Sequence, residues 1–143
     1  MTRALLTVVV ALSACQQKDA APPALPGPPV APELQKLTLE QVEAKLGKPN
    51  VFVFDANPRE LYENAHLPGA AWVKFDAVDA AVLPADKAAM LIFYCANELC
   101  TASHDAARQA LARGYANTFV MPQGYIGWKK SGRALIRHDA GVP

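Results

Sequence analysis

The sequence predicts an α/β domain, a mostly parallel sheet with helices on both faces. Two continuous apolar runs, Val51-Phe52-Val53-Phe54 and Met90-Leu91-Ile92-Phe93-Tyr94, have the length and composition of strands buried on both sides. Segments with helical spacing alternate with such runs, and the connections are short. Glycine or proline stands where most of the patterns end.

The elements follow in order. Regular structure is expected to begin near Leu37. Thr38 with Gln41 fits a capping box, Leu39, Val42 and Leu46 share one helical face, and Gly47 closes it. Pro49-Asn50 punctuates before the first strand, which ends at Asp55. Pro58 suits a first helical turn, so a short helix should run to Asn64. Leu67-Pro68-Gly69-Ala70 then turns into a brief strand over 71–73, and a looser alanine-rich stretch reaches Pro84. The second apolar strand ends on Cys95. Residues 101–113 make a helix with Ala106, Ala107, Ala110 and Leu111 on its buried face and Gly114 as its cap. A third strand is expected over 118–120 and a last short helix over 123–130, stopped by Gly132. Residues 133–143 suggest no more than a short strand and a frayed end.

With 143 residues there is room for one domain, and the 52% hydrophobic content is inflated by an alanine-rich N-terminus. A net charge of +1, with scattered Lys and Arg, argues against nucleic-acid binding. Arg3 followed by the apolar residues 4–12 reads as a signal segment, well short of the ~20 residues a spanning helix needs. Leu12-Ser13-Ala14-Cys15 looks like a bacterial lipobox, in which the chain is cut before the cysteine and its thiol is lipidated. The alternative is an ordinary secretory peptide cut after Ala14. Residues 1–14 are thus expected to be a lipoprotein signal peptide, and 15–35 a lipidated Cys15 with an Ala/Pro-rich tether of extended polyproline character. The folded domain is expected over 36–143. Gln16 after the cysteine resembles the pattern that sends such proteins to the outer membrane, here facing the periplasm.

The chemistry concentrates at Cys95. A cysteine between a strand and a helix start meets backbone N–H groups and the positive end of a helix dipole, and both stabilise a thiolate or a bound anion. In parallel sheets, working residues lie just past the carboxyl ends of strands, which is where Cys95 falls.

Three ordered segments carry a family resemblance. Asp55-Ala56-Asn57-Pro58-Arg59-Glu60-Leu61-Tyr62-Glu63-Asn64-Ala65-His66-Leu67-Pro68-Gly69-Ala70 resembles the first signature of rhodanese domains. Tyr94-Cys95, a small loop and an alanine-rich helix resemble their active-site loop. Gln123-Gly124-Tyr125-Ile126-Gly127-Trp128 resembles their closing element. The resemblance implies a rhodanese-like three-layer fold and a sulfurtransferase needing no cofactor and no metal. Cys95 would carry sulfane sulfur as a persulfide between a small donor and a thiol acceptor. The loop Ala96, Asn97, Glu98, Leu99, Cys100 and Thr101 would cradle it, and Asp55, His66 and Trp128 would support the pocket.

The loop departs from the family where many active members place an arginine. Cys100 and Thr101 stand there, and Glu98 would repel an anionic donor. This counts against efficient thiosulfate use and leaves the donor open, a persulfide among the candidates; it also counts against phosphatase or arsenate-reductase chemistry. With Cys15 lipidated, Cys95 and Cys100 remain as a pair in an oxidising compartment. Cys100 could be a resolving thiol, half of a redox switch, or a small buried filler. His104, one turn beyond Cys100, adds a third metal-ligand type, but the spacing fits no zinc pattern and favours a partly exposed helix residue. Glu98 reads as a solvated charge, and His138 carries no signal. Three functions therefore stand: a sulfurtransferase, a non-catalytic rhodanese-like binding module, and a Cys95/Cys100 thiol–disulfide protein.

Overall fold

The computed structural model describes residues 33–138. The expected signal peptide, the lipidation site at Cys15, the tether as far as residue 32, and residues 139–143 lie outside these described residues.

The central sheet is parallel throughout. Its strands are β1 (Gln35–Lys36), β2 (Val51–Asp55), β4 (Ala70–Trp72), β5 (Met90–Tyr94) and β6 (Thr118–Val120), in the order β1-β6-β5-β2-β4. The two apolar runs are neighbours at its centre, paired from Val51 with Met90 to Asp55 with Tyr94. A parallel ladder needs a crossover between strands, and α3 (Ala102–Ala112) supplies it from β5 to β6. A second sheet is a two-stranded antiparallel ribbon of β3 (Ala65–His66) and β7 (Ile136–Arg137).

Side-chain alternation splits the interior into two cores. Phe54, Leu91, Phe93 and Val120 meet Ala106, Ala107 and Ala110 of α3 on one face. Val53, Ile92, Tyr94 and Met121 meet Val42, Tyr125 and Trp128 on the other, which belong to α1 (Leu39–Glu43) and α4 (Gly124–Lys130). The short helix α2 (Arg59–Asn64) adds Leu61 to that second core. Helices on both faces complete the three-layer arrangement.

Local signals hold where the backbone uses them. Thr38 and Gln41 form both bonds of the capping box: Gln41 N–H donates to Thr38 Oγ1 at 3.3 Å, and Thr38 N–H to Gln41 Oε1 at 2.8 Å. Two expectations shift. Regular structure starts earlier than Leu37, because the exposed pair Gln35–Lys36 adds to β6. The alanine-rich stretch contains a 3-10 turn, Ala80–Val82, capped by Asp79. The short strand expected within 133–143 is found at 136–137, and what is added is its pairing with Ala65–His66 in the ribbon.

Candidate active site

Cys95 follows β5 directly and is 2% exposed. Its carbonyl and that of Ala96 accept the first amides of α4, Tyr125 N–H at 2.8 Å and Ile126 N–H at 2.9 Å. The start of the loop is thus tied to a helix on the opposite side of the sheet. Inside the loop, Asn97 organises the turn: Leu99 N–H donates to its Oδ1 at 3.0 Å and Cys100 N–H to its carbonyl at 3.1 Å. Those two amides are therefore taken. The amides of Ala96, Asn97, Glu98 and Thr101 make no hydrogen bond among the described residues. Leu99 is fully on the surface, at 91% exposure.

A disulfide joins Cys95 and Cys100, with the Cα atoms 6.3 Å apart. The strand end and helix start hold the two residues at a separation suited to this bond. Ser103, buried on the first turn of α3, places Oγ 3.3 Å from Cys95 Sγ. In the disulfide this sulfur carries no proton, so the hydroxyl is the donor; a thiolate would accept the same bond more strongly. The Cys100 carbonyl oxygen lies 3.2 Å from Cys95 Sγ, where only a protonated thiol could use it.

Two clefts flank the loop. One, of about 600 Å³, has Leu61, Trp72, Val73 and Phe75 among its walls, with Asn57 and Cys100. Cys100 faces this cleft, whereas Cys95 is not among its lining residues. Phe75 is held in place through its backbone, whose carbonyl accepts from Gln109 Nε2 on α3 at 2.6 Å. The other cleft, of about 410 Å³, is polar and includes Lys36, Glu98, His104 and Gln123. Within it, His104 Nδ1 and Gln123 Oε1 are buried without a hydrogen-bond partner. His104 is thus a partly exposed residue of α3, as expected, and its half-buried ring lies against this cleft.

Asp55, His66 and Trp128 line neither cleft. Asp55 is fully buried, accepting from Tyr94 Oη at 2.6 Å and Asn57 N–H at 2.8 Å. Tyr94 Oη in turn accepts Leu67 N–H at 3.1 Å. Burial pushes the Asp55 carboxyl above its ordinary range, against the lowering effect of those hydrogen bonds. Burial, and then the Asp55 charge, push the Tyr94 phenol far up, so Tyr94 stays a donor. His66 stacks on Tyr62 with centroids 4.1 Å apart, and its Nδ1 is 2.9 Å from the Tyr62 carbonyl. Trp128 donates from Nε1 to the Ala134 carbonyl at 2.8 Å, anchoring the chain that leads to β7. These three support the strand ends and the C-terminal segment that frame the loop.

Sequence reasoning missed Ser103, Asn57 and Gln109. Ser103 carried a signal: 103, 106, 107 and 110 share one helical face, and the other three were already assigned to the core. Asn57 and Gln109 had none, since their roles depend on segments brought together only by the fold.

The profile of the rhodanese-like domain family matches residues 38–131. Among solved structures, a Bacillus halodurans protein superposes with a TM-score of 0.67 at 18% identity, covering 72% of this chain and 77% of that one. The rhodanese-like domain of an Anabaena protein gives 0.62 at 21% identity, covering 78% and 86%. SseA from Escherichia coli, described with the rhodanese fold of 3-mercaptopyruvate sulfotransferases, gives 0.62 at 16% identity, covering 78% of this chain and 53% of its own. No curated protein sequence matches the chain. The order of strands, the loop after β5 and the family profile over residues 38–131 agree, and the chain belongs to the rhodanese-like domain family.

Proposed function

We propose that this protein is a sulfurtransferase that carries sulfane sulfur on Cys95, with Cys100 as a resolving thiol. The observation behind this reading is the Cys95–Cys100 disulfide in the loop that joins β5 to α3. The Cys95 thiolate attacks the outer sulfur of an organic persulfide, RS–SH. A bond forms between the two sulfurs, Cys95–S–SH results, and RS⁻ leaves. An acceptor thiolate takes the outer sulfur in the same way and returns Cys95 as thiolate. When no acceptor comes, the Cys100 thiolate attacks Cys95 Sγ, the persulfide bond breaks, HS⁻ leaves, and the disulfide forms. The loop contains no cation, which favours an organic persulfide over thiosulfate as donor.

The test uses the full chain, reduced and then given thiosulfate or an organic persulfide. Intact mass should rise by one sulfur on Cys95 with the persulfide, and Cys95→Ser should abolish the gain. Cys100→Ser should prolong the life of the loaded form. A reduced protein that never gains sulfur, yet returns to the disulfide, would favour the thiol–disulfide reading, which rests on the same bond. Neither event would leave a binding module. We further propose that a lipid on Cys15 holds the domain at the bacterial envelope, on the periplasmic side of the outer membrane. Labelled fatty acid should enter the wild-type chain and not Cys15→Ser.

A further inference from the structure

The two sulfurs of the disulfide differ in surroundings. Cys95 is 2% exposed and enclosed by Ser103 and the end of β5, whereas Cys100 is half-buried and faces the 600 Å³ cleft. An attacking thiol must approach in line with the bond it breaks, so it can reach only the sulfur that faces open space. The walls on its path are Leu61, Trp72, Val73 and Phe75, and Lys74 at the rim is already paired with Asp76 at 3.2 Å. The exposed wall of the cleft is apolar: Asn57 is 3% exposed, and its Nδ2 and Oδ1 are buried out of reach of the cleft. An apolar cavity beside an accessible sulfur suits a ligand whose body is apolar.

We infer that the cleft takes a thiol with an apolar body, and that this thiol opens the disulfide at Cys100. The inference rests on the reading of Cys95 and Cys100 as a working pair. The incoming thiolate RS⁻ attacks Cys100 Sγ, forming RS–S–Cys100. The Cys95–Cys100 bond breaks, and its electron pair leaves on Cys95 as thiolate, which accepts the Ser103 hydroxyl bond and faces the start of α3. Cys95 is thereby freed, and a second RS⁻ attacks the outer sulfur of RS–S–Cys100, releasing RS–SR and the Cys100 thiolate.

The experiment uses the oxidised full chain and a series of N-alkyl mercaptoacetamides, from methyl to hexyl, whose thiols have equal acidity. Samples are quenched in acid and the first adduct is located by peptide mass mapping. The second-order rate of opening should rise by about threefold for each added methylene until the cleft is full. The first adduct should sit on Cys100, with Cys95 free. Phe75→Gln should flatten the dependence on chain length. A rate indifferent to chain length in the wild type overturns the inference; it is the result expected if the chain's own Ala/Pro-rich segment filled the cleft. A first adduct on Cys95 overturns it as well. Persulfide loading of the reduced protein is scored separately. Length-selective opening without loading would remove sulfur transfer and leave this inference intact, and loading with indifferent opening would do the reverse.

Discussion

Ser103 Oγ lies 3.3 Å from Cys95 Sγ, inside the protein and on the first turn of α3. The hydroxyl can only matter to a sulfur that carries charge, because a neutral thiol has a weak claim on a donor. Removing it should therefore act on reactivity more than on stability. In a Cys100→Ser background, Ser103→Ala should slow alkylation of Cys95 at neutral pH by about fivefold, as expected for the loss of one hydrogen bond to a charged group offset in part by a more basic sulfur. Quantifying the alkylated Cys95 peptide over time checks this. Equal rates would mean that backbone amides alone hold the charge.

The Asn57 carboxamide predicts a gain in stability on its replacement. Its backbone is well used: N–H donates to Asp55 at 2.8 Å and the carbonyl accepts Trp72 Nε1 at 2.9 Å. Its side chain pairs with nothing. Asn57→Leu keeps the backbone bonds and similar bulk while removing two unsatisfied buried polar atoms. The variant should gain about 1–2 kcal/mol in urea unfolding. A loss of stability would show that the carboxamide has a partner, such as an enclosed water.

How much of this was legible follows the distinction between local and tertiary causes. Val51–Asp55 and Met90–Tyr94 announce themselves because central parallel strands are apolar on both faces. Gln35–Lys36 and Ile136–Arg137 do not, since all four residues are exposed and their extended form comes from the partner strand. At the site, the loop and both cysteines stood out, but the sequence left the disulfide open because the spacing alone does not fix a Cα separation. The cleft was invisible for a similar reason: Leu61, the stretch from Trp72 to Phe75, and Cys100 come from three separate segments.

The Asp55–Tyr94 pair predicts a pH dependence of stability. Burial raises the Asp55 carboxyl above its ordinary value of 3.8, so the fold favours the protonated form. The sign follows: the stability this group contributes is complete below the unfolded value and is lost as pH rises through the folded one. Asn at this position cannot ionise. The unfolding free energy of the wild type minus that of Asp55→Asn should therefore fall as pH rises above 3.8 and level off once the carboxyl is ionised in the fold. Chemical denaturation of both proteins between pH 3 and pH 8 checks it; a difference that grew with pH would reverse the assignment. Tyr94→Phe, which strands Asp55 Oδ2 and Leu67 N–H, should cost about 3 kcal/mol.

Gly124 shows how the loop is fixed in position by its neighbour on the other face. Its φ is +60°, and an added Cβ would lie 2.7 Å from both the carbonyl carbon and oxygen of Ala96, with the Cys95 carbonyl oxygen nearer still. These are backbone atoms and cannot rotate away. They belong to the peptide groups that accept Tyr125 N–H and Ile126 N–H, so relief of the clash must break those bonds or shift Cys95. Gly132 offers the matched control, with φ of +76° and nothing within 4 Å of an added Cβ. Gly132→Ala should lose only the cost of left-handed backbone for a non-glycine residue, about 1 kcal/mol. Gly124→Ala should lose about 3 kcal/mol or more. It should also change the rate at which the Cys95–Cys100 disulfide is reduced, and Gly132→Ala should not. Thermal unfolding and reduction kinetics on the two variants separate the contributions, and equal losses would mean that the loop tolerates movement of its first two carbonyls.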